Sequence, residues 1–377
     1  YLRQMKAIVK WLLGAAVAAG VVGCATLLSH GSNPYFDASK QHHTATGFRN
    51  NYPHASDQNF WKWQYERFMA NVPPPAPPGG WGSVLPSVRP DAAFLRENRS
   101  ERTLTWLGHA TVLLQTGGVN IITDPIFSER ASPVQFAGPK RQVPLMLAID
   151  ELPVIDVVFV SHNHYDHLDA ATIRAFSARF PSAVYVVPLG FKPWLAAHGV
   201  PEAQVRELDW WDRVRVRGLD FTLVPVQHWS KRTLTDTNRM LWGGIAVEDR
   251  LVPGAGEPRS DAVPWRFLYT GDTGYSQDFR DIGARFAGGF DWLAVPIGAY
   301  EPRWFMKAQH VNPDESVQIM KDVGARQAIG VHWGTFVLTD EPLDQPPKDL
   351  ATALARHGVA PERFHVFKNG ETRRLSD

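Results

Sequence analysis

The chain has 377 residues, 44% of them hydrophobic, with 39 Lys and Arg against 38 Asp and Glu. This supplies enough core for one large α/β domain or two ordinary ones, and a formal net charge of +1 excludes an electrostatic nucleic-acid binder, which needs a surplus of cations to neutralise phosphates. The single cysteine, Cys24, excludes an intrachain disulfide and a Cys-rich zinc finger.

In chain order, Met5-Lys6-Ala7-Ile8-Val9-Lys10 is a short basic start, residues 11–22 are apolar and uncharged, and Val21-Val22-Gly23-Cys24 closes the run. A basic region, an apolar core and small residues at a cleavage point predict a signal peptide over 1–23. The core is too short for a comfortable transmembrane helix. Val-Val-Gly-Cys resembles a bacterial lipobox, which predicts lipidation of Cys24 as the mature N-terminus and a lipid-anchored place in the bacterial cell envelope, on the periplasmic side of a membrane. An uncleaved anchor and a buried helix are the other readings of this stretch. Residues 24–100 read as an N-terminal extension and connector, and 101–377 as the main domain. In the extension, Trp61, Tyr65 and Phe68 share one face of a short helix, predicted to pack onto the main domain. Residues 72–80 are a stiff Pro-rich connector.

From residue 103 the pattern becomes β-rich. Strands are predicted at 103–107 and 111–116, a turn at Gly117-Gly118, and a return strand at 119–123. Residues 155–160 form an apolar run that suits a buried strand. Asp169 can cap a helix with Ile173, Phe176 and Phe180 on one face, and 183–187 is another buried strand. Further strands are predicted at 221–226, 266–270, 291–296 and 328–331. Ala197-His198-Gly199-Val200 and Arg356-His357-Gly358-Val359 both read as helix ends with a glycine cap, a hint of two similar halves.

The strand at 155–160 ends at His162-Asn163-His164-Tyr165-Asp166-His167. His162 and His164 alternate by two, so an extended segment points both imidazoles the same way. A metal needs neutral imidazoles and carboxylates at about 2.0–2.2 Å. Three His and one Asp within six residues exceed what one catalytic ion uses, which suggests two ions. His228, Asp272 and His332 each follow the C-terminal end of an apolar strand and can complete the site.

With these residues the sequence resembles the metallo-β-lactamase superfamily from about residue 103 onward. Within it the chain is similar to the N-acylphosphatidylethanolamine-hydrolysing phospholipase D branch. The match is carried by Trp106-Leu107-Gly108-His109-Ala110-Thr111, Thr123-Asp124-Pro125-Ile126-Phe127-Ser128, Tyr165 in the His motif, Gln227-His228-Trp229 and Gly271-Asp272-Thr273-Gly274-Tyr275. It continues in 297–306 and in His332-Trp333-Gly334-Thr335-Phe336. The resemblance implies a four-layer αβ/βα sandwich with a metal site at the sheet rim, 101–377 being the catalytic domain. It implies that His162, His164 and His228 hold one Zn(2+) and that Asp166, His167 and His332 hold the other, Asp272 bridging. Manganese or iron would accept the same ligands. A Gln-His pair near the phosphate matches Gln309-His310. Many true β-lactamases use a Cys ligand, and the only Cys here is remote from the motif.

The implied activity is a phospholipase D type phosphodiesterase acting on N-acylphosphatidylethanolamine or a related glycerophospholipid. A metal-bridging hydroxide would attack phosphorus, Asp272 would orient it, and Gln309 and His310 would hold the non-bridging oxygens. Tyr165 and Trp229 are candidate pocket residues, and His109 a candidate orienter of a ligand. Trp304, Phe305 and Met306, between Arg303 and Lys307, read either as a membrane-interface segment or as ordinary packing. The alternatives are a lactonase or other carboxyl-ester hydrolase on the same scaffold, and a non-catalytic envelope lipoprotein that keeps a metal for stability.

Overall fold

A computed structural model describes residues 32–54, 58–70, 72–250 and 263–375; the predicted signal peptide and Cys24 lie outside them. Among the described residues no helix is long and apolar enough to cross a membrane. The chain opens with a ribbon, β1 (His43–Thr44) and β2 (Gly47–Phe48), then helices α1 (Phe60–Ala70) and α2 (Ala92–Glu97). The first half continues with β3 (Thr103–Trp106), β4 (Val112–Thr116), β5 (Val119–Thr123) and β6 (Val157–Phe159). Helix α3 (Ala170–Arg179), β7 (Val184–Pro188), helix α4 (Lys192–Ala197) and β8 (Val205–Leu208) follow. The second half runs through β9 (Arg213–Val216), β10 (Leu219–Val224), β11 (Gly244–Asp249), β12 (Trp265–Tyr269), helix α5 (Asp278–Arg285), β13 (Trp292–Pro296), and helices α6 (Arg303–Met306) and α7 (Pro313–Asp322). It ends with β14 (Gln327–Val331), helix α8 (Pro346–His357), β15 (Phe364–His365) and β16 (Thr372–Arg374).

Two seven-stranded sheets result, ordered β16-β3-β4-β5-β6-β7-β8 and β15-β14-β13-β12-β11-β10-β9. In the first, β3 to β5 pair antiparallel and β5 to β8 parallel. The predicted hairpin is present: Thr116 pairs with Val119, and Gly117 and Gly118 take φ of 56° and 74°, a left-handed pair that glycine adopts without Cβ strain.

Strand period two explains the layering. Leu104, Trp106, Val112, Leu114, Ile121, Val157 and Phe159 face the second sheet and share one core with Phe221, Ile245, Phe267 and Leu293. Their neighbours Leu113, Ile122, Val158 and Tyr185 face outward and are covered by Ile173, Phe176 and Phe180 of the α3 segment and Leu195 of α4. Asp169 caps α3 as predicted, accepting from Ala171 N at 3.1 Å. Ile282, Val317, Met320 and Leu354 of α5, α7 and α8 cover the second sheet. The architecture is therefore helix–sheet–sheet–helix, the predicted sandwich. Truncating a fully buried ring such as Phe176 to alanine would cost roughly 3–5 kcal/mol.

Helix α1 overturns one expectation. Trp61, Tyr65 and Phe68 do share a face, but that face points to solvent. The docking side is the opposite one. Trp63 stacks on Phe305 at 4.6 Å, its indole N–H reaches the Asp340 carboxylate at 3.1 Å, and Arg67 Nε lies 2.9 Å from Asp340 Oδ1. Helical spacing identifies a face but not its neighbour. Here a half-buried carboxylate claims the side that can donate hydrogen bonds. Of the 304–306 segment, Met306 is buried, whereas Trp304 and Phe305 are half-buried against α1.

Candidate metal centre

The site is assembled from loops at one edge of the two sheets. The β3–β4 turn brings His109, and the end of β5 brings Asp124. The loop after β6 carries residues 161–169, and those after β10, β12 and β14 bring His228, Asp272 and His332. Three of these residues, His109, Asp124 and His332, take positive φ of 51°, 38° and 60°. Such backbone is costly for a residue with a Cβ and persists where surrounding contacts impose it. Gly271, at φ 63°, lets the Asp272 turn lie against the end of β6, since a Cβ there would sit 2.5 Å from the Ser161 Cβ.

All seven predicted metal ligands come together. His162 Nε2 lies 2.8 Å from His164 Nδ1, and His228 Nε2 lies 3.4 Å from the same nitrogen. Asp166 Oδ2 lies 3.3 Å from both His167 Nε2 and His332 Nε2. Between the triads sits Asp272 Oδ2, 3.1 Å from His167 Nε2, 3.1 Å from His332 Nε2 and 3.9 Å from His162 Nε2. Donor atoms around one small cation fall about 3 Å or slightly more apart, so this spacing fits metal ligands. The hydrogen-bond account fits as well. Of the predicted ligands, His167 Nε2 and Asp272 Oδ1 are buried without a hydrogen-bond partner, which an interior tolerates only where something else satisfies them. His162, His164 and His228 form one group able to hold an ion. His109, Asp166, His167 and His332 form another.

Electrostatics agree. Burial pushes the imidazoles of His164 and His310 down to about 4 and those of His162 and His228 well below the usual range, leaving them neutral with a free lone pair at pH 7. Burial alone would raise Asp166 and Asp272, yet the neighbouring His167 holds both well below the carboxylate range, so they stay ionised. Burial would lower His332, but Asp272 and Asp166 lift it to about 9. Two carboxylates in a buried pocket draw positive charge, the demand that divalent cations meet.

The support around these residues was only partly foreseen. His109 sits within the second group, its Nε2 2.9 Å from Asp166 Oδ2 and its ring 4.1 Å from that of His332. Asp124 was visible only as part of a motif. In the fold its Oδ2 accepts from His167 Nδ1 at 2.7 Å, Ser161 Oγ at 2.6 Å and Tyr269 Oη at 2.5 Å, and its Oδ1 accepts from Ser161 N at 2.7 Å. With its Nδ1–H held by Asp124, the His167 ring presents Nε2 to Asp272. His228 donates through Nδ1 to the Gln309 carbonyl at 2.9 Å. Gln309 thus contributes its backbone, while its side-chain Oε1 is buried without a partner. His310 Nδ1 lies 3.8 Å from Asp272 Oδ2. Trp229 meets the His164 ring edge to face at 4.7 Å. Tyr165 lines a cleft of about 400 Å³ with Leu168, Trp194 and Arg232, and its hydroxyl donates to the Arg232 carbonyl at 2.7 Å.

One supporting residue carried no sequence signal. Asn50, from the N-terminal extension, donates to His228 O and accepts from His228 N, both at 3.0 Å. It also accepts from Trp242 Nε1 at 3.1 Å. The extension can reach this far because a Cβ on Gly47 would meet Asn238 O at 2.1 Å, a close approach only glycine permits, and Phe48 N donates to that carbonyl at 2.8 Å.

Residues 119–333 match the family model described as the β-lactamase superfamily domain. The chain is 41% identical over 283 residues to an N-acyl-phosphatidylethanolamine-hydrolyzing phospholipase D of Caenorhabditis elegans, covering 72% of this chain and 76% of the relative. It is 37% identical over 273 residues to a mitochondrial protein of the same description from Saccharomyces cerevisiae, covering 71% of this chain and 55% of that one. Among solved structures, an isothiocyanate hydrolase from Delia radicum gut bacteria superposes with a TM-score of 0.55 at 18% identity, over 73% of this chain and 99% of that one, a likeness of fold. With two ligand groups at the rim of a double sheet and relatives at this level of identity, the chain belongs to the β-lactamase superfamily of metal-dependent hydrolases, in the branch of the N-acyl-phosphatidylethanolamine-hydrolyzing phospholipase D proteins.

Proposed function

We propose that this chain is a dizinc phosphodiesterase of phospholipase D type that hydrolyses N-acylphosphatidylethanolamine or a related glycerophospholipid. The observation that carries the reading is the position of Asp272 Oδ2, within 3.1–3.9 Å of ring nitrogens from both ligand groups. His162, His164 and His228 would hold one zinc, Asp166, His167 and His332 the other, and Asp272 both. When bound, the metal pair polarises phosphoryl oxygens and lowers the pKa of water toward neutrality. The protein's own part is orientation. Asp124 fixes the His167 ring, the Gln309 carbonyl and Asn50 fix His228, and His109 steadies Asp166. His310 lies beside Asp272 and is the side chain best placed to hold a phosphoryl oxygen, with Gln309 next to it. Water adds to phosphorus, the bond to the head-group oxygen breaks, and that oxygen leaves as an alcohol, giving phosphatidic acid. The sequence features before residue 32 support a chain held at the cell envelope through a lipidated Cys24.

Metal analysis combined with product identification on mixed phospholipid vesicles tests this. Two zinc per chain with phosphatidic acid and a free head group is the expected result. Opening of lactones without phospholipid cleavage would replace the reading with a carboxyl-ester hydrolase. A well-folded protein that holds no stoichiometric metal would end it.

A further inference from the structure

Helix α1 carries its amphipathic pattern turned outward. Trp61, Tyr65 and Phe68, at i, i+4 and i+7, are 73%, 64% and 80% exposed, and Phe60 and Met69 beside them are exposed as well. Covering such side chains removes apolar surface from water and is favourable. A contiguous stripe of this kind marks a surface that meets a partner.

The chemistry of the stripe selects the partner. Trp and Tyr join an apolar ring to a polar tip and settle at the level of lipid head groups. Lys307, at the end of α6, is an exposed cation suited to a phosphate-bearing surface, and Lys62, on the same helix as the stripe, is exposed with its ammonium 4.0 Å from the Glu66 carboxylate. The helix that bears the stripe is tied toward the metal centre through its other side. Trp63 stacks on Phe305, Lys62 lies 4.4 Å from the centre of the Trp304 ring, and the helix carrying both aromatics runs into Gln309 and His310. The same chain carries a second lipid-compatible stretch upstream, the apolar run 11–22, in the residues that precede the described ones.

We propose that α1 is a bilayer-docking helix. Trp61, Tyr65 and Phe68 enter the head-group region of a phospholipid membrane and set the side of the site bearing His310 against the surface that supplies the lipid. The role assigned to this docking rests on the phospholipid reading of the site, whereas the docking itself is measured without it. In the full chain, the double variant Cys24→Ser/Phe68→Cys carries a nitroxide at position 68, and phosphatidylcholine–phosphatidylglycerol vesicles are added. On bound protein the label is expected to become shielded severalfold from a water-soluble nickel chelate and open to oxygen. A label that stays accessible to the chelate on vesicle-bound protein overturns the proposal. So does spin–spin broadening in the absence of vesicles, which would assign the stripe to a second copy of this chain.

A second arm uses Trp61→Ser/Tyr65→Ser/Phe68→Ser. Hydrolysis of vesicle-borne substrate is expected to fall about tenfold, with hydrolysis of a soluble short-chain phosphodiester unchanged. No loss on vesicles, or an equal loss on both substrates, overturns the proposal. If the unaltered protein cleaves neither substrate, the phospholipase reading fails while the label at position 68 still decides the docking.

Discussion

Two buried clusters of this chain are made of the same residue types and keep opposite hydrogen-bond accounts. At the sheet rim, His162, His164, His167, His228 and His332 crowd around Asp166 and Asp272, with buried ring nitrogens and a carboxylate oxygen left unpartnered. Where the N-terminal extension meets the main domain, His42 and His43 of the extension and Asp209 after β8 also lie within reach of one ion. Yet His42 Nε2 donates to Asp209 Oδ1 at 2.6 Å and His43 Nε2 to Oδ2 at 2.9 Å. The Lys40 ammonium bonds the same Oδ2, and Asp209 Oδ1 also takes the Trp210 N–H at 2.8 Å. His43 Nδ1 accepts from Asp37 N at 3.1 Å, which leaves the ring proton on Nε2, where a metal would need the lone pair. The second cluster is closed by its own donors and already holds its cation. Proximity of His and Asp does not distinguish a metal centre from a latch; the unspent lone pairs do.

Substitutions that swap the two accounts test the contrast. The largest effect is expected at the rim. Asp272→Asn should lower hydrolysis on the order of a thousandfold and reduce bound metal, with a thermal transition close to that of the parent protein. Full activity in this variant would dissolve the distinction.

At the latch the expected loss is in stability. Asp209→Asn leaves Lys40, His42 and His43 facing a neutral amide, at a cost of about 3 kcal/mol in denaturant unfolding, with metal content unchanged. Burial alone would raise the Asp209 carboxyl, but His42 and Lys40 hold it well below the usual range. A depressed carboxyl contributes stability that is complete above its unfolded value of about 3.9 and fades as pH falls through the lower folded value. The gap between parent and variant should therefore be full at neutral pH and close in acid. A gap that widens in acid would contradict the latch.

Asp124→Asn sharpens the contrast from the supporting side. It removes the carboxylate that accepts from His167, Ser161 and Tyr269, and metal affinity should drop about 10–100-fold. Asn50→Ala is the smallest expected change. It strips two hydrogen bonds from the His228 backbone, so metal affinity should fall by about tenfold or less, measured by competition with a chelator. If Asn50→Ala matched Asp272→Asn in lost activity, the extension would belong to the reacting centre itself.

Much of this molecule is legible before folding. The His162–His167 run, the strands that end at His228, Asp272 and His332, the Gly117-Gly118 turn and the Asp169 cap are local patterns, and local patterns survive in a linear text. Asp124 stood in a recognisable motif without a role, because its task depends on Tyr269 and His167 arriving from other strands. Asn50 was silent for the same reason, since its partner backbone is remote in sequence. The α1 stripe was read with its face correct and its neighbour wrong, because period reports the geometry of one helix and not what lies beside it.

The sequence by itself determined which donors exist and at which strand ends they sit, since strand period, turn chemistry and ligand type are properties of neighbours in the chain. Tertiary structure decided which lone pairs are spent and which remain open. That depends on sheet register and on loops meeting across the sandwich, and it separates the rim, where Asp272 lies between two triads, from the latch, where Lys40 has already answered Asp209.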